Sequence, residues 1–171
     1  DIKRVMSELN IYESIYKNAL TGSIVIIDAQ NLISKLELNG TERISFKLST
    51  PGAIDKRSMV DASVETGHPF HVYKITDRKQ LAPGTLLYTL HFGSREFMRN
   101  LRTKVSQAYE GRLDMSVLKI LTDENYLDSK KEVSFEPTGN ADKIVIPNLR
   151  PFDAINMIAK RSLPEKSNGV G

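Results

Sequence analysis

The chain has 171 residues, of which 40% are apolar and 26% are charged, and its formal net charge is +3. These values are typical of a globular chain of one or two small domains, and no apolar run approaches the roughly 18 residues of a membrane-spanning helix. Cysteine is absent, which excludes disulfides, thiolate zinc sites, iron–sulfur clusters and cysteine nucleophiles within these residues.

The first fifty residues predict strands separated by turns. Residues 8–18 alternate apolar and polar side chains, and the apolar run 23–28 is typical of a buried strand. We interpret Thr21-Gly22 as the turn of a hairpin that joins these two segments.

The following segments continue this pattern. A short helix or turn is predicted over 29–38 and a tight turn at Asn39-Gly40, before a half-buried strand over 43–49. Residues 50–68 show no sustained period and are predicted to form a long loop, a type of segment that is usually functional or mobile.

Two further strands are predicted over 70–76 and 85–93, with a turn over 77–84. Ser94 is the predicted N-cap of a short helix, and the extended pattern returns over 103–110. Regular short strands closed by turns are typical of a small antiparallel barrel or sandwich.

After Gly111 the pattern becomes mixed. Asp114 is predicted to cap a helix, short strands are predicted over 132–136 and 143–146, and Pro151 is expected in the first turn of a second helix. The apolar faces predicted for the two helices are Val117, Leu118 and Leu121, and Phe152, Ile155, Ile158 and Ala159.

Side chains capable of catalysis or metal binding form no recognisable pattern. His68 and His71 are three apart on a predicted strand and therefore point to opposite faces, and His91 has no matching ligand pattern. Glycine-rich phosphate loops and a Gly-x-Ser-x-Gly elbow are absent. We therefore predict no catalytic, cofactor-binding or metal-ligating residue, and a protein that is not an enzyme.

Three alternatives remain open at this level. Residues 94–112 carry five basic and two acidic side chains, a pattern found both in nucleic-acid-binding surfaces and in contacts with an acidic protein. A glycosidase-like carboxylate pair is the second alternative, and an aromatic platform for single-stranded nucleic acid is the third. The carboxylates are Glu8, Glu13, Asp28 and Glu37, and the aromatic residues are Tyr12, Tyr16, Phe46, Phe70, Tyr73, Tyr88 and Phe92.

Three segments carry a family resemblance. The first is LNIYESI at 9–15, which leads into SIVIID at 23–28; the second is 94–121, which contains RTKVSQAYEG; the third is IVIPNLRPFDAINMIAKR at 144–161. Their order resembles the baseplate hub proteins of contractile-tailed, T-even-like bacteriophages. This family is related to the N-terminal hub part of type VI secretion spike proteins, another contractile injection system.

The resemblance implies a mainly β, α+β fold. A tail-tube-like antiparallel β-barrel is expected over residues 1–112, with the long loop 50–68. A linking helix and the start of a second hub domain, a mixed α/β module, are expected over 113–171. Because the chain begins at Asp1 without a methionine and ends before the returning strands of a second barrel, we expect a truncated or partly ordered hub.

The implied function is structural. Hub proteins form homotrimers in which two tube-like barrels per subunit give a pseudo-sixfold ring, and this ring adapts the hexameric tail tube to the trimeric central spike. The expected partners are the tail tube protein, the spike protein and other baseplate proteins, and no membrane. The expected location is the virion tail baseplate, after assembly in the host cytoplasm.

The alternative function is a small β-barrel module that binds nucleic acid. Its binding would depend on salt, because phosphate contacts release counterions. The residues expected to contribute are Arg95, Arg99, Arg102 and Lys104. In the hub interpretation the same basic segment contacts an acidic neighbour, and loop 50–68 contacts a neighbouring subunit or the spike.

Overall fold

A computed structural model of the chain describes residues 2–35, 42–49 and 59–165. Internal contacts divide the chain into unit 1, Asp1–Met98, and unit 2, Arg99–Gly171, a division that falls before the domain boundary predicted after residue 112. Strands make up 43% and helices 21%, so the prediction of a mainly β fold is confirmed.

Unit 1 is built on antiparallel strands. β1-β2-β7-β6-β3 form one antiparallel sheet that curls into about half of a barrel, and β4 and β5 form a separate ribbon. A closed tube-like barrel stays a prediction. The elements are β1 (Met6–Tyr12), β2 (Thr21–Asp28), α1 (Leu32–Lys35), β3 (Arg43–Ile44), β4 (Lys47–Ser49), β5 (Met59–Asp61), β6 (Phe70–Ala82), β7 (Thr85–Gly93) and the start of α2 (Arg95–Arg102).

The predicted hairpin at the start of the chain is confirmed, but its predicted turn is wrong. β1 pairs with β2 so that Leu9 lies opposite Ile24, and Thr21 and Gly22 belong to β2 rather than to the turn. Glycine is required there because a Cβ atom at Gly22 would collide with the backbone of β1 and with the Phe92 ring.

β6 is the strand of the main sheet with the most register shifts. β6 contains 13 residues and β7 contains nine, and the register between them shifts at three places. Each bulge adds an unpaired residue to β6, which bends the strand and increases its twist. The predicted turn over 77–84 is therefore wrong for residues 77–82, which continue the strand. The tight turn is limited to Pro83 and Gly84, where φ of Gly84 is 77°.

The predicted strand over 43–49 is divided between two sheets. Ile44 ends β3 and pairs with β6, whereas Lys47 begins β4 and pairs with β5. Of the predicted loop 50–68, residues 50–58 lie outside the described part, as does the turn predicted at Asn39-Gly40. The described remainder is ordered by β5 and by ion pairs from the Lys47 ammonium to Glu65 (3.0 Å) and Asp61 (3.7 Å).

The inner face of the main sheet forms the core of unit 1. β7, predicted as a strand over 85–93, buries Tyr88, Leu90 and Phe92, and Thr89 between them is buried too. The Phe70 and Phe92 ring centroids lie 5.1 Å apart, a separation typical of favourable aromatic pairs. At the end of this strand the Ser94 hydroxyl accepts a hydrogen bond from the Phe97 amide (3.4 Å), which confirms Ser94 as the N-cap of α2.

Unit 2 packs helices on a two-stranded antiparallel ribbon. The helices contact the ribbon face that carries Val105, Tyr109, Ile144 and Ile146, all of which are buried. The elements are β8 (Val105–Arg112), α3 (Leu113–Thr122), β9 (Ala141–Leu149) and α4 (Pro151–Ala159).

In unit 2 two predictions are wrong, whereas the strand predicted over 143–146, which lies within β9, and the start of α4 are confirmed. Asp114 lies inside the first turn of α3 and pairs with Arg112 at 2.7 Å, so it is not the residue that precedes the helix. Residues 132–136 form no strand, and most of their side chains are exposed. Pro151 begins α4 as predicted, because a missing N–H costs little at that position.

The faces predicted for both helices are only partly correct. α3 buries Leu113, Asp114, Ser116 and Ile120, whereas the predicted Val117, Leu118 and Leu121 are half-buried. In α4 the buried side chains are Pro151, Ala154 and Ile158, and the predicted Ala159 is exposed. Both helices bury small or hydrogen-bonded residues that a search for large apolar side chains does not identify.

Candidate assembly surface

The main sheet of unit 1 has two open edges within the described ranges. On one side, β1 pairs only with β2. On the other side, β3 covers β6 only at Phe70 and His71, so residues 73–82 of β6 pair only with β7. A strand edge of this kind presents unpaired N–H and C=O groups to which another strand can add.

The β1 edge is regular, acidic and apolar. Its pairing with β2 has no register shift over residues 8–12, and the exposed Glu8 lies within the strand. The β1–β2 connection adds the exposed Glu13, and it leaves Ile15 92% and Tyr16 87% exposed. The cations at Lys3 and Arg4 precede the strand, and the exposed Lys17 is the one cation of the β1–β2 connection. The edge therefore combines two carboxylates with an exposed apolar tip.

The β6 edge is irregular and basic. Beyond Val72 the strand exposes Lys74, Arg78 and Lys79, against the single carboxylate of Asp77. Apolar contact area is also present, since Leu81 is 54% exposed. Bulges and lysine side chains are features by which natural proteins limit indiscriminate pairing at sheet edges. The two edges of one sheet thus carry opposite charge.

The basic segment 94–112 is partly used inside unit 2. The Arg99 guanidinium donates hydrogen bonds to the backbone carbonyls of Tyr126 (2.7 Å) and Glu124. Hydrogen bonds between Arg112 and Asp114 lower the pKa of the Asp114 carboxyl. Arg102 and Lys104, two of the other cations in this segment, are exposed.

The aromatic residues divide between core and surface. Phe46, Phe70, Tyr88 and Phe92 lie in or against the buried core of unit 1, as their spacing suggests, and Tyr12 and Tyr16 are exposed. Tyr73 packs on Phe97 (5.3 Å between ring centroids). The predicted stacking residues therefore do not form one continuous exposed platform.

The candidate carboxylates and histidines have separate environments. Asp28 is fully buried and accepts hydrogen bonds from the amides of Gln30 (2.9 Å) and Ile33 (3.2 Å). Glu8 and Glu13 are exposed, Glu37 lies outside the described residues, and the three histidines are half-buried. No group of three or more His, Asp or Glu side chains in the described ranges is placed to hold a metal ion.

Because the protein buries two tyrosines, we expect its stability to urea to fall at alkaline pH. Burial raises the pKa of Tyr88 to about 12, and burial also raises the pKa of Tyr109. A tyrosine in the unfolded chain ionises near pH 10. The stabilisation that comes from keeping the buried tyrosines protonated is therefore complete below pH 10 and is lost as the pH rises toward 12.

We expect the urea midpoint to fall between pH 10 and 11. Tyr88→Phe should reduce that fall and Tyr16→Phe, at an exposed site, should not; an equal fall in all three proteins would contradict the assignment.

Comparisons with known proteins give no family assignment. No family model, curated protein or solved structure matches the chain. No helix in the described ranges is long and apolar enough to cross a bilayer. The function therefore has to be inferred from the residues and geometry of the chain itself.

Proposed function

We propose that this chain is a structural subunit of the central baseplate hub of a contractile phage tail, located in the virion and without catalytic activity of its own. The observation that supports this proposal is the pair of open, oppositely charged edges on one curled sheet. A subunit whose two different edges fit each other associates head to tail, and head-to-tail association closes into a ring when the rotation between subunits allows it.

Strand direction favours such an association. The strands β1, β2, β7 and β6 are antiparallel neighbours, so β1 and β6 run in opposite directions. A copy rotated about an axis roughly along the strands therefore brings its β6 antiparallel to β1 of its neighbour. The antiparallel alternation continues across the subunit boundary, which hides both open edges.

Charge and apolar area favour the same pairing. Glu8 and Glu13 on the β1 side are complementary to Lys74, Arg78 and Lys79 on the β6 side. Complementary charges give register and specificity, whereas the apolar tip at Ile15 and Tyr16 supplies area that becomes buried. Like edges would bring like charges together, so the pairing of unlike edges is preferred.

In the hub interpretation, each of the two units corresponds to one barrel of a hub subunit. The curled sheet of unit 1 corresponds to a tube-like barrel, and the β8–β9 ribbon with its helices corresponds to the start of a second one. In a homotrimer the paired edges close the three unit 1 sheets into a ring of threefold symmetry toward the spike, and the three unit 2 modules supply the second set of positions for the tail tube. The partners in this proposal are the tail tube protein, the central spike protein and other baseplate proteins.

The native mass of the chain in solution tests the proposal. Light scattering behind a sizing column is expected to give a trimer. The acidic-edge variant, Glu8→Lys with Glu13→Lys, and the basic-edge variant, Arg78→Glu with Lys79→Glu, should each lower the mass threefold, to a monomer. The four substitutions together restore complementarity and should restore the trimer.

Matched controls separate this edge pairing from general effects of charge. Glu132→Lys with Glu136→Lys changes the same charge at exposed positions of unit 2 and should leave the trimer intact. A wild-type chain that is monomeric at all concentrations would contradict the proposal. A monomer that binds oligonucleotides at low salt, and binds them less well after alanine substitution of Arg102 and Lys104, would instead support the nucleic-acid-binding module.

A further inference from the structure

The exposed apolar tip of the β1–β2 connection is held in a hydrogen-bonded turn. The Lys17 amide donates to the Ser14 carbonyl (3.0 Å) and the Tyr16 amide donates to the Ser14 hydroxyl (3.2 Å). Ile15 and Tyr16 therefore occupy the two corner positions of a β-turn, where glycine, proline and small polar residues are usual. At 92% and 87% exposure, these two side chains have the character of preorganised anchors of a protein–protein contact.

A partly exposed aromatic group lies beside the open edge of β6 in the same unit. Tyr73, the extra residue of the first β6 bulge, is 38% exposed and packs on the half-buried Phe97 with 5.3 Å between ring centroids. Phe97 in turn covers Gly93, where a Cβ atom would lie 2.6 Å from its ring. We call Tyr73 and Phe97 the aromatic pair, and it offers packed apolar surface at the end of the open edge.

Charge and strand length determine how β1 of one copy aligns with β6 of the next. Lys74 and Lys79 span only four residues of β7, because the middle bulge adds one residue to β6. Glu8 and Tyr12 are also four residues apart, in the part of β1 that has no register shift. If Glu8 lies opposite Lys79 of the next copy, Tyr12 therefore lies opposite Lys74.

This alignment brings the tip to the aromatic pair on the outer face of the sheet. Five residues share that face because they are in register with odd-numbered residues of β2, namely Glu8, Tyr12, Lys74, Lys79 and Gly93. Phe97, which covers Gly93, lies on the same face. β3 occupies the β6 edge at Phe70 and His71, so a neighbouring β1 has to leave the edge after Tyr12, its last residue. The tip that follows then lies at the level of Tyr73.

We propose that the apolar tip of each copy docks on the aromatic pair of the next copy, a contact that rests on the edge pairing of the proposed function. Ile15 and Tyr16 add buried apolar area to the main-chain hydrogen bonds of the paired strands. Glu13 comes next to Lys74 in the same alignment. The docking selects another copy of this chain, because a sheet edge without an exposed aromatic pair would leave both tip side chains in water.

Introduced cysteines test the alignment without background, because the chain has no cysteine. The alignment sets Asn10 opposite Thr76 of the next copy. Residues directly opposite on antiparallel strands have Cα atoms about 4.5–5.5 Å apart, a distance that a disulfide spans. A chain with Asn10→Cys and Thr76→Cys should therefore cross-link between copies under mild oxidation, and a chain with either substitution alone should not.

Truncation of the tip tests the docking itself. Loss of an anchor side chain typically weakens an interface by about thirtyfold, so Ile15→Ala with Tyr16→Ala should raise the dissociation constant of the trimer by at least this factor. Phe135→Ala with Leu163→Ala, at exposed apolar positions of unit 2, should leave the constant unchanged. Tyr73→Ala should also weaken the trimer, and the tip substitutions should add little to its effect. Light scattering over a dilution series measures each constant.

The two measurements separate the docking from the proposed function. Failure of the chain with both cysteines to cross-link would overturn the edge pairing and, with it, the docking. Cross-linking together with an unchanged dissociation constant in the tip variant would overturn the docking alone. A full thirtyfold effect of the tip substitutions in the Tyr73→Ala chain would place the tip against another surface and would overturn the docking as well.

Discussion

Substitution of Asp28 by alanine is expected to destabilise unit 1 by about 3 kcal/mol. The Asp28 carboxylate is fully buried and accepts from the amides of Gln30 and Ile33, and the Tyr88 hydroxyl donates to it over 3.4 Å. Alanine removes all three hydrogen bonds to the carboxylate. Each partly buried donor that is left without an acceptor costs about 1–3 kcal/mol. Urea denaturation followed by circular dichroism measures the change.

Two matched variants separate the hydrogen bonds from the backbone amides from the hydrogen bond of the buried tyrosine. Asp28→Asn keeps one acceptor oxygen and should cost less than alanine. Tyr88→Phe removes only the longest of the three hydrogen bonds and should cost about 1 kcal/mol or less. A loss below 1 kcal/mol for Asp28→Ala would show that the backbone turn after β2 is stable without the carboxylate.

Gly22→Ala is the second substitution with a large expected effect. A Cβ atom at this position would overlap the Asn10 carbonyl oxygen on β1 and the Phe92 ring on β7, so both neighbouring strands would have to move. Overpacking a closely packed core typically costs 1–3 kcal/mol, and here backbone is one of the two groups displaced. We expect a loss of about 3 kcal/mol in the free energy of unfolding, measured by urea denaturation.

Gly67→Ala is the appropriate control for Gly22→Ala. The φ angle of Gly67 is 75°, and no atom lies within 4 Å of a Cβ added there. Alanine at this position would therefore strain the backbone without overlapping another atom. Its expected cost is about 1 kcal/mol. Similar losses at both positions would contradict the close packing of Phe92 against Gly22.

Sequence patterns predicted those elements whose structure is determined locally. The cap at Ser94 and the proline at the start of α4 both depend on neighbouring residues, and both are confirmed. The turn predicted at Thr21-Gly22 is wrong because glycine has two uses, positive φ in turns and close packing in strands. The choice between them depends on Phe92, which is distant in the chain.

The candidate assembly surface could not be predicted from local patterns, because it depends on which strands lie at the edges. The order β1-β2-β7-β6-β3 places chain-distant strands side by side, and it leaves Lys74, Arg78 and Lys79 on an open edge. These cations lie in a segment that the sequence indicated was partly turn. The more obvious basic segment, 94–112, uses Arg99 and Arg112 for contacts within unit 2.

The strand order also determines the sequence in which the main sheet can assemble. The pairs β1–β2 and β6–β7 are hairpins between chain neighbours, and hairpins of this kind form within microseconds. The β2–β7 seam instead joins Asp28 to Leu86 and closes a long loop, whose entropic cost has to be met before the contacts of the seam form. We therefore expect the docking of two hairpins to limit the folding rate of unit 1, and the Gly22–Phe92 contact lies in the seam where they meet.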